Sequence, residues 1–255
     1  MRLIQITDCH LQADPEARSR CGVPLCQLEA VVAAVRAAQP DVVIMTGDIS
    51  NDGSAASYQH ARQLLATLEC PWFWLGGNHD QPAQMRDIHP VQEVIDLGSW
   101  RLVMADTYAA GFAHGELGEA RISELTARLA EDERPTLLAM HHPPLAVGSA
   151  WLDGIGLKDS EALWQALAPF SQVKAILCGH IHQAFIGWRQ LDRGEVMVYG
   201  CPATADQFLP GVQDFAVDEA LGPGFRIVDL TDDTWSTWVE RVEIGEFESK
   251  TERME

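Results

Sequence analysis

The sequence predicts an α/β fold, a four-layer α/β/β/α sandwich of two mixed sheets flanked by helices. Three observations lead there. Short apolar runs alternate with stretches of helical period through most of the chain. After residue 183 the pattern changes to strands alone. The candidate ligand-type side chains follow apolar runs, at the carboxyl edge where α/β sheets bind their ligands.

The elements follow in order. Residues 3–7 read as a buried strand, and Leu25, Leu28, Val31, Val32 and Val35 recur at helical spacing. Residues 41–46 form a second apolar strand. Residues 54–69 are helical, with Tyr58, Ala61, Leu65 and Leu68 on one face, and 72–75 are a short strand. Residues 101–105 give a further strand, and Ile122, Leu125 and Leu129 mark a helix. A strand at 136–140 precedes a helix carrying Leu163, Trp164 and Leu167, for which Asp159 is the expected N-cap. Strands follow at 173–178, 184–188, 195–199, 225–230 and 235–242. No linker divides the chain, so residues 1–244 are expected to form a single catalytic domain, followed by a polar tail at 245–255.

Bulk properties narrow the function. A chain of 255 residues with 47% hydrophobic content can bury a large core in one α/β domain. The net charge of −19 disfavours a surface that tracks nucleic acid. No basic tract marks a membrane patch, and no apolar run approaches the ~18 residues of a membrane span. The first residues lack the basic, apolar and cleavage regions of a secretion signal. The six cysteines are scattered without a CxxC pair. A cytoplasmic protein with reduced thiols is expected. Oligomeric state cannot be read from one sequence, since an interface patch looks like any apolar surface.

Five separated segments carry the chemistry: Asp8-Cys9-His10, Gly47-Asp48, Gly77-Asn78-His79-Asp80, His141-His142-Pro143 and Gly179-His180-Ile181-His182. Taken singly, each reads as a turn or a cap. Five together at strand ends read as a dinuclear metal site. In extended backbone, residues two apart share a face, which pairs Asp8 with His10 and His180 with His182 and turns Cys9 and Ile181 away. Gly47 lets the chain turn sharply, and the two oxygens of Asp48 suit it to bridge two ions. One metal is expected on Asp8, His10, Asp48 and His182, the other on Asp48, Asn78, His141 and His180. Imidazole and carboxylate ligands without thiolate favour two divalent or trivalent ions, iron or manganese first, with zinc possible. Such a pair can turn a shared water into hydroxide for attack on a phosphate ester. His141 is preferred to its neighbour His142 as the ligand; His60 is expected to be a solvent-facing helix residue, His89 a helix-end residue, and His114 a loop residue at the cleft or the surface.

At these residues the sequence resembles the calcineurin-like metallophosphoesterases, whose D-x-H, G-D, G-N-H-D/E, H and G-H-x-H elements are all present. Further segments, among them His114-Gly115-Glu116-Leu117, Ser149-Ala150-Trp151-Leu152-Asp153 and Gln207-Phe208-Leu209-Pro210, are similar to bacterial class III 3′,5′-cyclic-AMP phosphodiesterases. Cys9 departs from the Thr or Ser that similar proteins often carry. The resemblance implies a metallophosphoesterase-like fold and hydrolysis of 3′,5′-cyclic AMP to 5′-AMP by a metal-bridging hydroxide. Asn78, His79, His10 and His182 are then expected to contact substrate. His79 would be the catalytic acid on the leaving oxygen, with catalytic Asp80 orienting its ring. Nothing in the residues themselves selects adenine over guanine. The rival readings are the same centre acting on another phosphodiester, nucleotide or phosphoprotein, and a non-catalytic scaffold of the same fold.

Overall fold

Apolar runs without polar alternation become strands covered on both faces. The computed structural model describes residues 1–232 and 234–244; the expected tail lies outside them. The chain runs β1 (Arg2–Ile6), α1 (Pro24–Ala37), β2 (Val42–Thr46), α2 (Ala55–Leu65), β3 (Trp72–Leu75), α3 (Pro82–Ile88), β4 (Val94–Leu97), β5 (Trp100–Met104) and α4 (Gly118–Ala130). It continues through β6 (Thr136–Met140), α5 (Ala150–Asp153), α6 (Ser160–Leu167), β7 (Val173–Cys178), β8 (Phe185–Leu191), β9 (Gly194–Gly200), β10 (Gly224–Leu230) and β11 (Trp235–Arg241).

The strands form two mixed sheets, ordered β11-β10-β1-β2-β3 and β4-β5-β6-β7-β9-β8. In the first, β1, β2 and β3 are parallel and β10 and β11 antiparallel. In the second, β5, β6, β7 and β9 are parallel, with antiparallel β4 and β8 at the edges. Side-chain alternation then builds the layers. Leu3, Ile44 and Leu75 of the first sheet meet Leu102, Leu137 and Leu177 of the second in the central core. Ile4, Ile6, Val43 and Met45 face the other way, onto Leu28, Val31 and Val35 of α1 and Tyr58 and Leu65 of α2. Val103, Leu138 and Ile176 pack outward on Leu125 and Leu129 of α4 and Leu163 and Trp164 of α6. This is the expected α/β/β/α sandwich.

Several local expectations change. Residues 66–69 leave the helix, so α2 ends at Leu65; Ser54 caps its start, accepting from Ser57 N at 3.2 Å. β8 runs on to Leu191 as the antiparallel edge partner of β9. α3, β4 and α5 were not among the expected elements: α3 and α5, at seven and four residues, are too short to show a helical period, and β4 alternates exposed and buried residues with Asp96 among them instead of running apolar. Asp159 precedes α6 but does not cap it with its side chain. Its carboxylate instead accepts from Leu117 N (3.0 Å) and Gly118 N (2.7 Å), the orphan donors at the start of α4. Among the described residues no helix is long and apolar enough to cross a membrane.

Candidate metal centre

The loops after β1, β2 and β3 in one sheet and after β6 and β7 in the other converge at one end of the sandwich. They are laced by backbone hydrogen bonds: Asp8 N to Gly47 O at 3.0 Å, His10 N to Asp48 O at 2.9 Å, and Gly179 N to His141 O at 3.1 Å. Asp8, His10, Asp48, His180 and His182 all have positive φ, between 47° and 68°. Extended backbone therefore does not arrange these residues: Asp8 and His10 fall in one donor set, whereas His180 and His182 fall in different ones. Each of these five turns back in the left-handed conformation, which Asp, Asn and His tolerate better than most residues. Cys9 and Ile181 between them are fully buried. Such backbone costs roughly 1–3 kcal/mol per residue and persists where the surroundings dictate it. Gly77 shows how close the packing is: a methyl group there would overlap Asp48 Oδ1 and lie 2.6 Å from Asp48 N.

The side chains gather into two donor sets that share Asp48. In the first, His182 Nε2 lies 3.1 Å from His10 Nε2 and 3.2 Å from Asp8 Oδ1, and His10 Nε2 lies 3.7 Å from Asp48 Oδ2. In the second, Asn78 Oδ1 lies 3.1 Å from His141 Nε2 and 3.0 Å from His180 Nδ1, and His141 Nε2 lies 3.4 Å from Asp48 Oδ1. Asp48 thus turns one oxygen toward each set. Two further contacts choose which ring nitrogens face inward. His141 Nδ1 donates to Thr46 O at 2.8 Å, and His182 Nδ1 donates to Asp206 O at 2.6 Å. Each leaves its Nε2 lone pair directed at the centre.

The charges suit cations. Burial alone would raise the Asp48 carboxyl, but His141, His10 and His79 hold it well below the usual carboxylate range. Asp8 is likewise lowered against burial, chiefly by His182. Burial drives His180 well below the ordinary imidazole value and His10 down to about 4, so both present neutral nitrogens. His141 goes the other way: burial opposes its charge, yet Asp48 and Asp8 push it up to about 9, so without metal its Nε2 carries a proton that a bound cation would displace. Anionic carboxylates and inward lone pairs, three to four ångströms apart around two centres, fit two metal ions.

The remaining polar residues divide clearly. His79 is exposed at the lip, its N–H donating to Asp48 Oδ1 at 2.9 Å and its ring edge-on to His10 with centroids 4.9 Å apart. Asp80 is not placed to orient that ring. Its buried carboxylate accepts from Gly77 N (2.8 Å), Ser50 N (3.0 Å), Ile49 N (3.3 Å) and the Tyr58 hydroxyl (3.1 Å), which pins the Asn78 loop to the loop after β2. His142 lies close to His141 and His180, and its nitrogens could in principle join them. Both are already engaged, Nδ1 with the Thr107 hydroxyl at 2.8 Å and Nε2 with Ala113 O at 3.2 Å. His60 is half-buried rather than solvent-facing, its Nε2 3.2 Å from Ala13 O. His89 stacks on Trp72 with centroids 3.8 Å apart at the end of α3, and His114 lies half-buried beside Phe112. Asp206 and Thr107 were missed. Asp206 orients His182 through a backbone carbonyl, and Thr107 has no motif around it, so neither leaves a signature in sequence.

Two mixed sheets whose strand ends converge on His- and Asp-rich donor sets define a metallophosphoesterase. Residues 1–184 match the calcineurin-like phosphoesterase family, and the chain belongs to that family. It is 39% identical to the 3′,5′-cyclic adenosine monophosphate phosphodiesterase CpdA of Vibrio vulnificus, over 97% of this chain and 92% of the relative. It is 37% identical to the proteins of the same name from Pseudomonas aeruginosa (96% and 92% covered) and Escherichia coli K12 (98% and 93%). A dimetal phosphatase from Danio rerio shares the fold with a TM-score of 0.71 at 13% identity, covering 94% of this chain and 96% of that one.

Proposed function

We propose that this chain hydrolyses 3′,5′-cyclic AMP to 5′-AMP at a pair of metal ions held by Asp8, His10, Asp48, Asn78, His141, His180 and His182. The observation that carries the reading is the shared carboxylate of Asp48, with one oxygen toward each donor set. The cyclic-nucleotide substrate is supported by near full-length identity to proteins named for that activity. Iron or manganese suits the donors best. The set holds no thiolate, and the adjacent Cys9 is fully buried, its thiol pushed far above the ordinary range by burial.

When bound, the two ions lower the pKa of a shared water and neutralise charge growing on the phosphate oxygens. The chain's residues do the rest. Asp48 and Asp8 keep their negative charge through the contacts above. Asn78, His79, His10 and His182 border the place for the phosphate. His79, exposed at the lip beside His10, donates a proton to the 3′ oxygen as its bond to phosphorus breaks. Asp80 acts at one remove, holding the backbone from which Asn78 and His79 project. A cytoplasmic setting fits the cysteines, none of which forms a disulfide among the described residues.

Metal-depleted protein reconstituted separately with iron, manganese and zinc tests the reading by steady-state hydrolysis of 3′,5′-cyclic AMP. Cyclic GMP, 2′,3′-cyclic AMP and a phosphopeptide run alongside. The expected result is preferential cleavage of 3′,5′-cyclic AMP with iron or manganese. Cleavage of the phosphopeptide with none of cyclic AMP would replace this reading with a protein phosphatase.

A further inference from the structure

An aromatic wall starts at one of the metal-ligand rings. Phe208 lies flat on His182, with centroids 3.8 Å apart and planes 7° from parallel. Trp151 and Phe215 close edge-on around Phe208 at 5.1 and 5.3 Å, and lie 5.1 Å from each other. The Arg20 guanidinium sits 4.8 Å over the Phe215 ring. These rings come from distant segments that are deliberately tied. Asp206, whose carbonyl holds His182, receives Ser19 Oγ (2.6 Å), Arg20 N (3.0 Å) and Cys21 N (2.9 Å) on its carboxylate. Gly211 N donates to Ser149 Oγ at 2.9 Å, and Ala150 N to Val212 O at 3.2 Å, which fastens the Trp151 turn to the Phe215 loop.

Two features of the wall are unexplained by packing. Phe215 is 43% exposed and Leu209 beside the wall 38%, so apolar surface is left uncovered next to a strongly polar centre. Trp151 Nε1 is buried without a protein acceptor, although a buried indole N–H ordinarily finds one. Stacking surface, a cation and an unmet donor are what a flat heterocycle with ring-nitrogen acceptors would use. We infer that Trp151, Phe208, Phe215 and Arg20 form the nucleobase subsite of the nucleotide whose phosphate lies at the metal centre. This rests on the proposed cyclic-nucleotide reading and adds the residues that grip the base. It also accounts for a base-binding site in a chain of net charge −19: recognition comes from ring surface and one guanidinium rather than a basic patch.

Titration calorimetry of the manganese-loaded protein with 5′-AMP and with ribose 5-phosphate isolates the base. The expected result is that 5′-AMP binds about 10-fold more tightly than ribose 5-phosphate. That ratio should fall at least about threefold in Phe215→Ala and in Trp151→Phe, the second of which keeps an aromatic ring and removes only the N–H and the larger surface. Equal affinities in the parent protein, or a ratio that survives both substitutions, would overturn the subsite. Cyclic AMP hydrolysis by the parent protein is read separately. A protein that discriminates 5′-AMP through these rings yet does not cleave cyclic AMP would keep the subsite and lose the proposed reaction.

Discussion

At the scale of single residues, the centre depends on side chains in backbone conformations that few residues accept. Asp8, His10, Asp48, His180 and His182 hold left-handed φ values, and four buried donors hold the Asp80 carboxylate between two loops. Asp80→Ala would leave those donors without an acceptor, at roughly 1–3 kcal/mol for a buried unsatisfied group. We predict a loss of about 3 kcal/mol or more in urea unfolding; a change within about 0.5 kcal/mol would show that the carboxylate does not pin the loops. His79 differs in kind, since its side chain is exposed and its hydrogen bond to Asp48 comes from the backbone, which truncation would keep. His79→Ala should lower turnover on cyclic AMP by roughly 100- to 10,000-fold while metal content stays at the parent value. Unchanged turnover would remove it from the proton-transfer role.

Elements put those residues in reach of one another. The first sheet brings β1 between β2 and β10, and Arg2 fastens the last of these pairs. Its Nε and terminal nitrogen each donate to one oxygen of Asp229 at 2.7 Å. Arg2 lowers the Asp229 carboxyl below its ordinary value. A lowered carboxylate contributes stability above its unfolded pKa of about 4 and loses it as pH falls through the folded value. Both partners are about a third exposed, so the pair is worth at most about 1 kcal/mol. Asp229→Asn should therefore be slightly less stable than the parent near pH 7, and the gap should close below about pH 4. A gap that stays constant with pH would assign it to something other than this charge. Elements also mark where sequence reasoning reached its limit. β3, β6 and β7 were legible to the residue because each is a predominantly apolar run. β4 was not, because its four residues alternate exposed and buried with Asp96 among them, and α3 is too short to show a helical period. Asp159 looked like a cap for the helix that follows it and serves another helix distant in sequence, which only tertiary structure can decide.

Across the whole molecule, two sheets from separate stretches of chain aim their carboxyl ends at one place. The seven candidate donors were placed from sequence because the five segments that hold them each follow an apolar run. The residues that orient them were not, because Thr46 and Asp206 act through backbone carbonyls that any side chain could accompany. The aromatic wall was legible only in part: the segments holding Trp151 and Phe208 resemble cyclic-AMP phosphodiesterases, but their meeting with Phe215 is a tertiary contact. Buried carboxylates converging on one end of the fold imply that ions bound there stabilise the whole chain by mass action, about 2.7 kcal/mol at 100 times Kd. Chelation should lower the melting temperature by several degrees, and manganese should restore it. A melting temperature indifferent to chelator would mean that these side chains hold no ion in the folded state.

The central claim is that Asp48 bridges two metal ions, and metal analysis of the parent protein and Asp48→Ala tests it most directly. The account predicts two ions per chain in the parent and loss from both positions in the variant. Two ions retained in Asp48→Ala, or only one ever bound by the parent, would contradict it.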